Sequence, residues 1–185
     1  MCGIVGIYLK TKKFEKNLGK MLSGMLNNME SRGPDSAGFA IYKNEKKDIF
    51  KYSLCLNDLN FKNFKKEISN KIKKIQLSQH ADHVILKTPI EPKIVIKIIN
   101  KNFPEVSIVG YGHSIEIFKQ VGNPKDVVKK FKLDSFSGTH GIGHTRMATE
   151  SAITTDGSHP YSTGIDECLV HNGSLSNHNN LRREL

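Results

Sequence analysis

The chain is most constrained by its first ten residues, MCGIVGIYLK. The apolar run Gly3–Leu9 reads as a buried β-strand, and it starts one residue after a cysteine. Chain ends fray unless they are tied into a sheet, so later segments must pair with this strand. The first candidate is FAIY (39–42), read as a second strand returning beside the first. Between them Leu18, Met21, Leu22, Met25, Leu26 and Met29 fall on one helical face. Their methionines read as core packing. SRGPDSAG then forms a loop punctuated by Gly and Pro.

From about Lys43 to Leu133 the chain becomes rich in Lys, Asn and Ile. Phe61, Phe64, Ile68, Ile72 and Ile75 step by threes and fours, the spacing of an amphipathic helix. HVILKT (83–88) and VSIVGYG (106–112) read as strands. PKIVIKIINKNF between them reads as a helix, against the preference of its β-branched residues. Asn123 before Pro124 is a cap followed by a first-turn proline, with Val127, Val128 and Phe131 behind it. Residues 43–133 thus have the alternation of a small α/β insertion; the alternative is an integral part of the main sheet. After Thr139, polar residues crowd around the short apolar runs GIGHT and CLVH, a pattern typical of a site at strand ends.

Composition narrows the class. The 185 residues suffice for one domain, with 37% hydrophobic and 25% charged residues, as in soluble globular proteins. No stretch is long enough to span a membrane. Three widely spaced cysteines (Cys2, Cys55, Cys168) suggest free thiols and a reducing, cytoplasmic setting. The net charge of +10 would suit a nucleic acid, but all except four of the 28 basic residues are lysines. They are scattered among Asn and Ile, as AT-rich codons produce. No ribonucleoprotein or zinc-finger pattern accompanies them, so no nucleic-acid partner is expected.

Four separated features carry chemistry: Cys2, RGPDSAG (32–38), GHTRMAT (143–149) and HNG (171–173). If Met1 is removed, Cys2 holds a thiol nucleophile beside an α-amine base of pKa about 8. Asn172 with Gly173 offers a side-chain amide and a backbone N–H for an oxyanion hole. Arg146 could fork onto a carboxylate. Taken singly, each has a plain alternative: a cysteine on an edge strand, a tight Asn-Gly turn, a surface ion pair. His80 with His83 and His140 with His144 have metal-like spacing, but no carboxylate or cysteine cluster completes them, so no metal is expected.

Together, MCGIVGIY, SRGPDSAGFAIY, GIGHTRMATES, SHPY and VHNGSLSNHNNLRREL resemble the class II glutamine amidotransferases, whose glutaminase domain is an N-terminal-nucleophile hydrolase. GHSIEIFKQVGNP (112–124) and GTHGIGHTRMATES look like the branch related to the amidotransferase part of glutamate synthase. The resemblance implies an α+β fold, a four-layer αββα sandwich with the middle insertion. It implies Cys2 as nucleophile, Asn172 and Gly173 as oxyanion hole, and Arg146 with Thr149 on the substrate. Arg32 and Asp35 would shape the loop around Cys2, and His159 has no assigned role. It further implies L-glutamine as substrate, no cofactor, and a synthase or acceptor subunit that receives ammonia. The family domain continues beyond NNLRREL, so the chain is expected to be its front portion, an incomplete sandwich. The rival function is a catalytically incomplete interaction or regulatory module.

Overall fold

The computed structural model describes residues 2–43, 48–148, 152–173 and 177–184. Strand β1 (Gly3–Tyr8) forms at the chain start, and α1 (Leu18–Asn28) carries the chain to β2 (Ser36–Tyr42). The two strands are not neighbours, contrary to expectation. After β3 to β7 comes β8 (His140–Arg146), which lies between β1 and β2 and is antiparallel to both. The reason is steric. Added Cβ atoms on Gly141 and Gly143 would lie 3.0 Å from Leu22 Cδ2 and 2.9 Å from Leu26 Cδ2. Glycines on the central strand therefore let α1 settle against the sheet.

The first sheet has the order β1-β8-β2-β7, with β7 at Ile115–Val121. Its α1 face is a dry core of Leu18, Leu22, Leu26, Val5, Phe39 and Ile41, closed by Val127, Val128 and Phe131 of α4 (Pro124–Phe131). Asn123 caps α4 by accepting the Lys125 N–H at 3.0 Å, as the Asn-Pro pair predicts. On the opposite face Ile4 and Tyr8 stay exposed.

The second sheet is built from β3 (Phe50–Cys55), β4 (Gln76–His80), β5 (His83–Thr88) and β6 (Ser107–Gly112). Its order is β4-β5-β3-β6, antiparallel throughout. Helices α2 (Phe61–Lys71) and α3 (Pro92–Asn102) cover one face, setting Phe64, Ile68, Val95 and Ile99 against Tyr52, Leu54, Val84 and Leu86. This succession and strand order is the split βαβ, or ferredoxin-like, arrangement. Helix α2 stops before Ile72, whose backbone turns extended.

The two sheets meet at β7. The Ser53 hydroxyl accepts the Ile117 N–H at 2.8 Å, and Ala40, Cys55, Val109, Ile115 and Ile117 pack at the junction. Elements of the stretch 43–133 contribute to both sheets. The split βαβ unit ends at Gly112, while β7 and α4 belong to the first sheet. Strands β2 and β7 pair from Tyr42↔Ile115 to Ser36↔Val121, and the split βαβ unit lies between these two paired strands in the chain. The fold is α+β with antiparallel sheets. It is completed by a small hairpin of β9 (Tyr161–Gly164) and β10 (Glu167–Leu169), then α5 (His178–Glu184). Among the described residues no helix is long and apolar enough to cross a membrane.

Candidate active site

Strand alternation sorts β1 into two faces. Val5 belongs to the α1 core, and a Cβ on Gly3 would sit 2.8 Å from Thr145 Oγ1 and 3.0 Å from Met29 Cβ. The alternation assigns Cys2 to the other face. The β1–β8 register pairs Gly3 with Thr145, which brings residues 146–147 beside the chain start. The Cys2 thiol donates to the Met147 carbonyl at 3.8 Å.

Two further donors converge on the same residue. Asn172 Nδ2 donates to the Cys2 carbonyl oxygen at 2.9 Å, and Arg32 Nε donates to it at 3.4 Å. Asn172 and Gly173 are exposed, and among the described residues no paired strands flank them as a tight hairpin turn would require.

Asp35 organises the wall opposite. Its carboxylate accepts the Ala148 N–H at 2.7 Å, and its own N–H donates to the Arg146 carbonyl at 3.1 Å. Gly33 is needed next to it, because a Cβ there would overlap the Thr145–Arg146 backbone. Arg146 ends β8, and its Nη1 donates to the Ala152 carbonyl at 3.3 Å. The structure thus gathers Cys2, Arg32 and Asn172 at one point, with Asp35 holding the strand end that carries Arg146. Thr149 lies outside the described residues.

Sequence reasoning gave His144 and Lys119 no site role. His144 is fully buried; its Nε2 stands 2.9 Å from the His171 carbonyl oxygen, and its ring lies 4.1 Å from that of His159. Burial pushes His144 down to about 4 and His159 down to about 3, so both imidazoles are neutral at pH 7. Lys119 is buried, which draws its ammonium down to about 8. It donates to the carbonyls of Asp156 and Ser158 at 3.0 and 2.9 Å. The available signal was positional for His144, which stands two residues before Arg146 on the same strand face; Lys119 sits in IEIFKQV between Glu116 and Gln120 and carried no such signal.

One group of described residues has donor atoms within 4.8 Å of one another that could hold a metal: Cys55, Asp82 and His83. The fold supplies the thiol and carboxylate that the spacing of the histidines lacked. Asp82 is already engaged, however, by His83 at 3.0 Å and by the Lys130 ammonium at 2.9 Å. A neighbouring ammonium opposes a cation there.

The Cys2 thiol thus lies just before β1, with one amide and one guanidinium donor on the backbone carbonyl of the same residue. No family model matches the chain. Over its whole length it is 47% identical to the glutamine amidotransferase-like protein GlxB of Rhizobium meliloti (strain 1021), covering 62% of that protein. A Methanothermobacter thermautotrophicus protein, provisionally named a glutamine amidotransferase, is 31% identical across the full chain, which covers 65% of it. A shorter stretch, 43% of the chain, is 30% identical to 13% of the glutamine–fructose-6-phosphate aminotransferase of Idiomarina loihiensis. The chain spans a little under two thirds of the first two relatives. These matches support a glutamine amidotransferase family for the chain.

Proposed function

We propose that this chain carries a class II glutaminase site of the N-terminal-nucleophile type, in the branch resembling glutamate synthase. Removal of Met1 exposes the Cys2 α-amine. That amine takes the thiol proton through a water as Sγ attacks the side-chain amide carbon of L-glutamine, and returns it to the departing nitrogen, releasing ammonia. Water then cleaves the thioester to glutamate and restores the thiol. Asn172 Nδ2 and the Gly173 N–H stabilise the oxyanion, Arg146 and Thr149 take the α-carboxylate, and Arg32 and Asp35 hold the loop in place. Ammonia passes to a synthase or acceptor subunit in the cytoplasm.

The observation that carries this reading is the Asn172–Cys2 hydrogen bond, which joins residues 170 positions apart. It ties the Asn172 amide to the backbone carbonyl of the residue that bears the thiol, a long-range tether that supports a shared site for the two. The αββα sandwich is supported by the order of α1 and α4, the first sheet, and the β9–β10 hairpin at its other face. On this reading the stretch 43–133 carries an α/β insertion within that framework.

Ammonia release from glutamine, with Cys2→Ala as the blank, tests the proposal. Release that depends on Cys2, in protein whose mass shows Met1 removed, is expected. No Cys2-dependent release with the acceptor subunit supplied would leave the non-catalytic module as the better reading.

A further inference from the structure

We propose that His144 is a positioning residue for the oxyanion hole, acting through the backbone carbonyl of His171 on Asn172 and Gly173. The inference rests on the glutaminase reading above and adds a residue to it. A carbonyl oxygen only accepts, so the imidazole nitrogen at 2.9 Å must carry the proton. His144 is therefore the Nε2–H tautomer, with a bare Nδ1. Its strand position sets the distance between the two halves of the site. It is the cross-strand partner of Ile4, two residues from the nucleophile, and it tethers the peptide bond that leads directly into Asn172. The oxyanion donors are thus referred to the strand next to Cys2, although they lie on an exposed segment beyond the β9–β10 hairpin.

The ring is held from behind. His159 lies over it at 4.1 Å, tilted by 30°. His159 reaches this place because Gly38, the β2 partner of His144, has no side chain: a Cβ there would overlap the His159 carbonyl oxygen. Lys119, the β7 partner of Gly38, clamps the same segment through Asp156 and Ser158. The groups facing the His144 ring are thus His159 and His171, with Lys119 and Arg146 nearby. They are neutral or cationic, and they favour an uncharged imidazole that serves only as a donor.

The test compares His144→Gln, whose amide nitrogen can reach the Nε2 position, with His144→Asn, whose amide reaches only that of Nδ1, and with His144→Leu. Each is assayed for glutamine hydrolysis, for affinity toward glutamate γ-semialdehyde, and for affinity toward L-glutamate. The aldehyde forms a tetrahedral hemithioacetal on Cys2 and needs the oxyanion hole; glutamate does not. For Leu and Asn, kcat should fall about 10- to 100-fold with KM within about twofold, the scale of misplacing a reacting group by about 1 Å. Aldehyde affinity should fall by the same factor, glutamate affinity should hold, and Gln should recover most of the loss. Equal kcat in all variants overturns the assignment, as does parallel loss of glutamate and aldehyde affinity, or a folded Gln variant no better than Asn. If Leu does not fold, the Gln–Asn contrast still decides. Should Cys2→Ala keep wild-type turnover, the glutaminase reading itself falls. Should Cys2→Ala and Asn172→Ala lose turnover while His144→Asn keeps it, only the role of His144 falls.

Discussion

Lys51 and Glu116 meet at 3.2 Å between the central strand of the split βαβ unit and the edge strand of the first sheet, both buried. Lys43 reaches the other carboxylate oxygen at 2.7 Å. Truncating one member of a buried pair strands the other, at about 3–5 kcal/mol, whereas replacing both with apolar groups of similar size is far milder. Glu116→Leu should therefore lower the urea midpoint strongly, and Lys51→Met with Glu116→Leu should regain most of it. A double variant no more stable than the single one would show that the pair does not join the sheets.

Acid should loosen the same junction. Burial pushes Glu116 upward, but Lys43 and Lys51 outweigh it and hold the carboxyl below its ordinary value. Asp166 is also pushed up by burial and pulled lower by the N–H groups of Ser114, His113 and Ile115. A depressed folded value means the unfolded chain binds protons first. The stabilisation is complete above about pH 5 and drains away as pH falls through the lowered folded values. Unfolding free energy measured against pH should fall steeply below about pH 4, and less steeply for Asp166→Asn.

Gly38→Ala should damage both stability and the site. The new methyl would collide with backbone at His159 and lie 2.8 Å from the Phe118 carbonyl oxygen, so the loop must lift or the strand bend. Overpacking of this kind costs about 1–3 kcal/mol. Thermal unfolding should report the loss, and altered His159 imidazole resonances in NMR spectra should report the displaced loop. A variant as stable as wild type, with unchanged resonances, would contradict the close packing.

On the proposed glutaminase reading, Asn172→Ala removes one oxyanion donor. Turnover of glutamine should drop by about 10²–10³-fold, with substrate affinity much less affected. Steady-state ammonia release gives both quantities, and unchanged kcat would make HNG a simple turn.

Arg146→Lys should act mainly on binding, because an ammonium cannot reproduce a two-pronged guanidinium contact with the α-carboxylate. KM for glutamine should rise about tenfold or more, as loss of one charge-assisted hydrogen bond implies. If KM is unchanged, the carboxylate is held elsewhere.

Much of this was legible in the sequence where local pattern and burial agree. The faces of α1 and α2, the β5 strand and the Asn123–Pro124 cap follow from spacing alone. Three strands of the two larger sheets did not declare themselves. β4 is a polar edge strand (QLSQH) with little to bury. In β3 and β7 the apolar alternation is broken by Lys51, Glu116 and Lys119, which are buried with partners distant in sequence: Lys51 and Glu116 meet between the sheets, and Lys119 meets loop carbonyls at Asp156 and Ser158. The pairing of β1 with β8 was likewise out of reach, since it depends on contacts 132–142 positions apart, set by the glycines under α1. At the site, Cys2 and Asn172 were singled out by chemistry and Arg32 by the family resemblance, and the fold brings the three together. His144 was weighed only for its metal-like spacing with His140, because its contact with the His171 carbonyl depends on the fold.

The hairpin of β2 and β7 has a further consequence. Its two strands are in register from Tyr42↔Ile115 onward, and the split βαβ unit enters and leaves through adjacent strands, with Lys51 facing Gly112. Entry and exit are thus side by side, and the unit is also seated on β7 through Ser53, Lys51 and the junction core. Changes of length in its outer loops can therefore be absorbed while the strands that frame Cys2 keep their alignment, whereas removing the whole unit would uncover the buried Glu116.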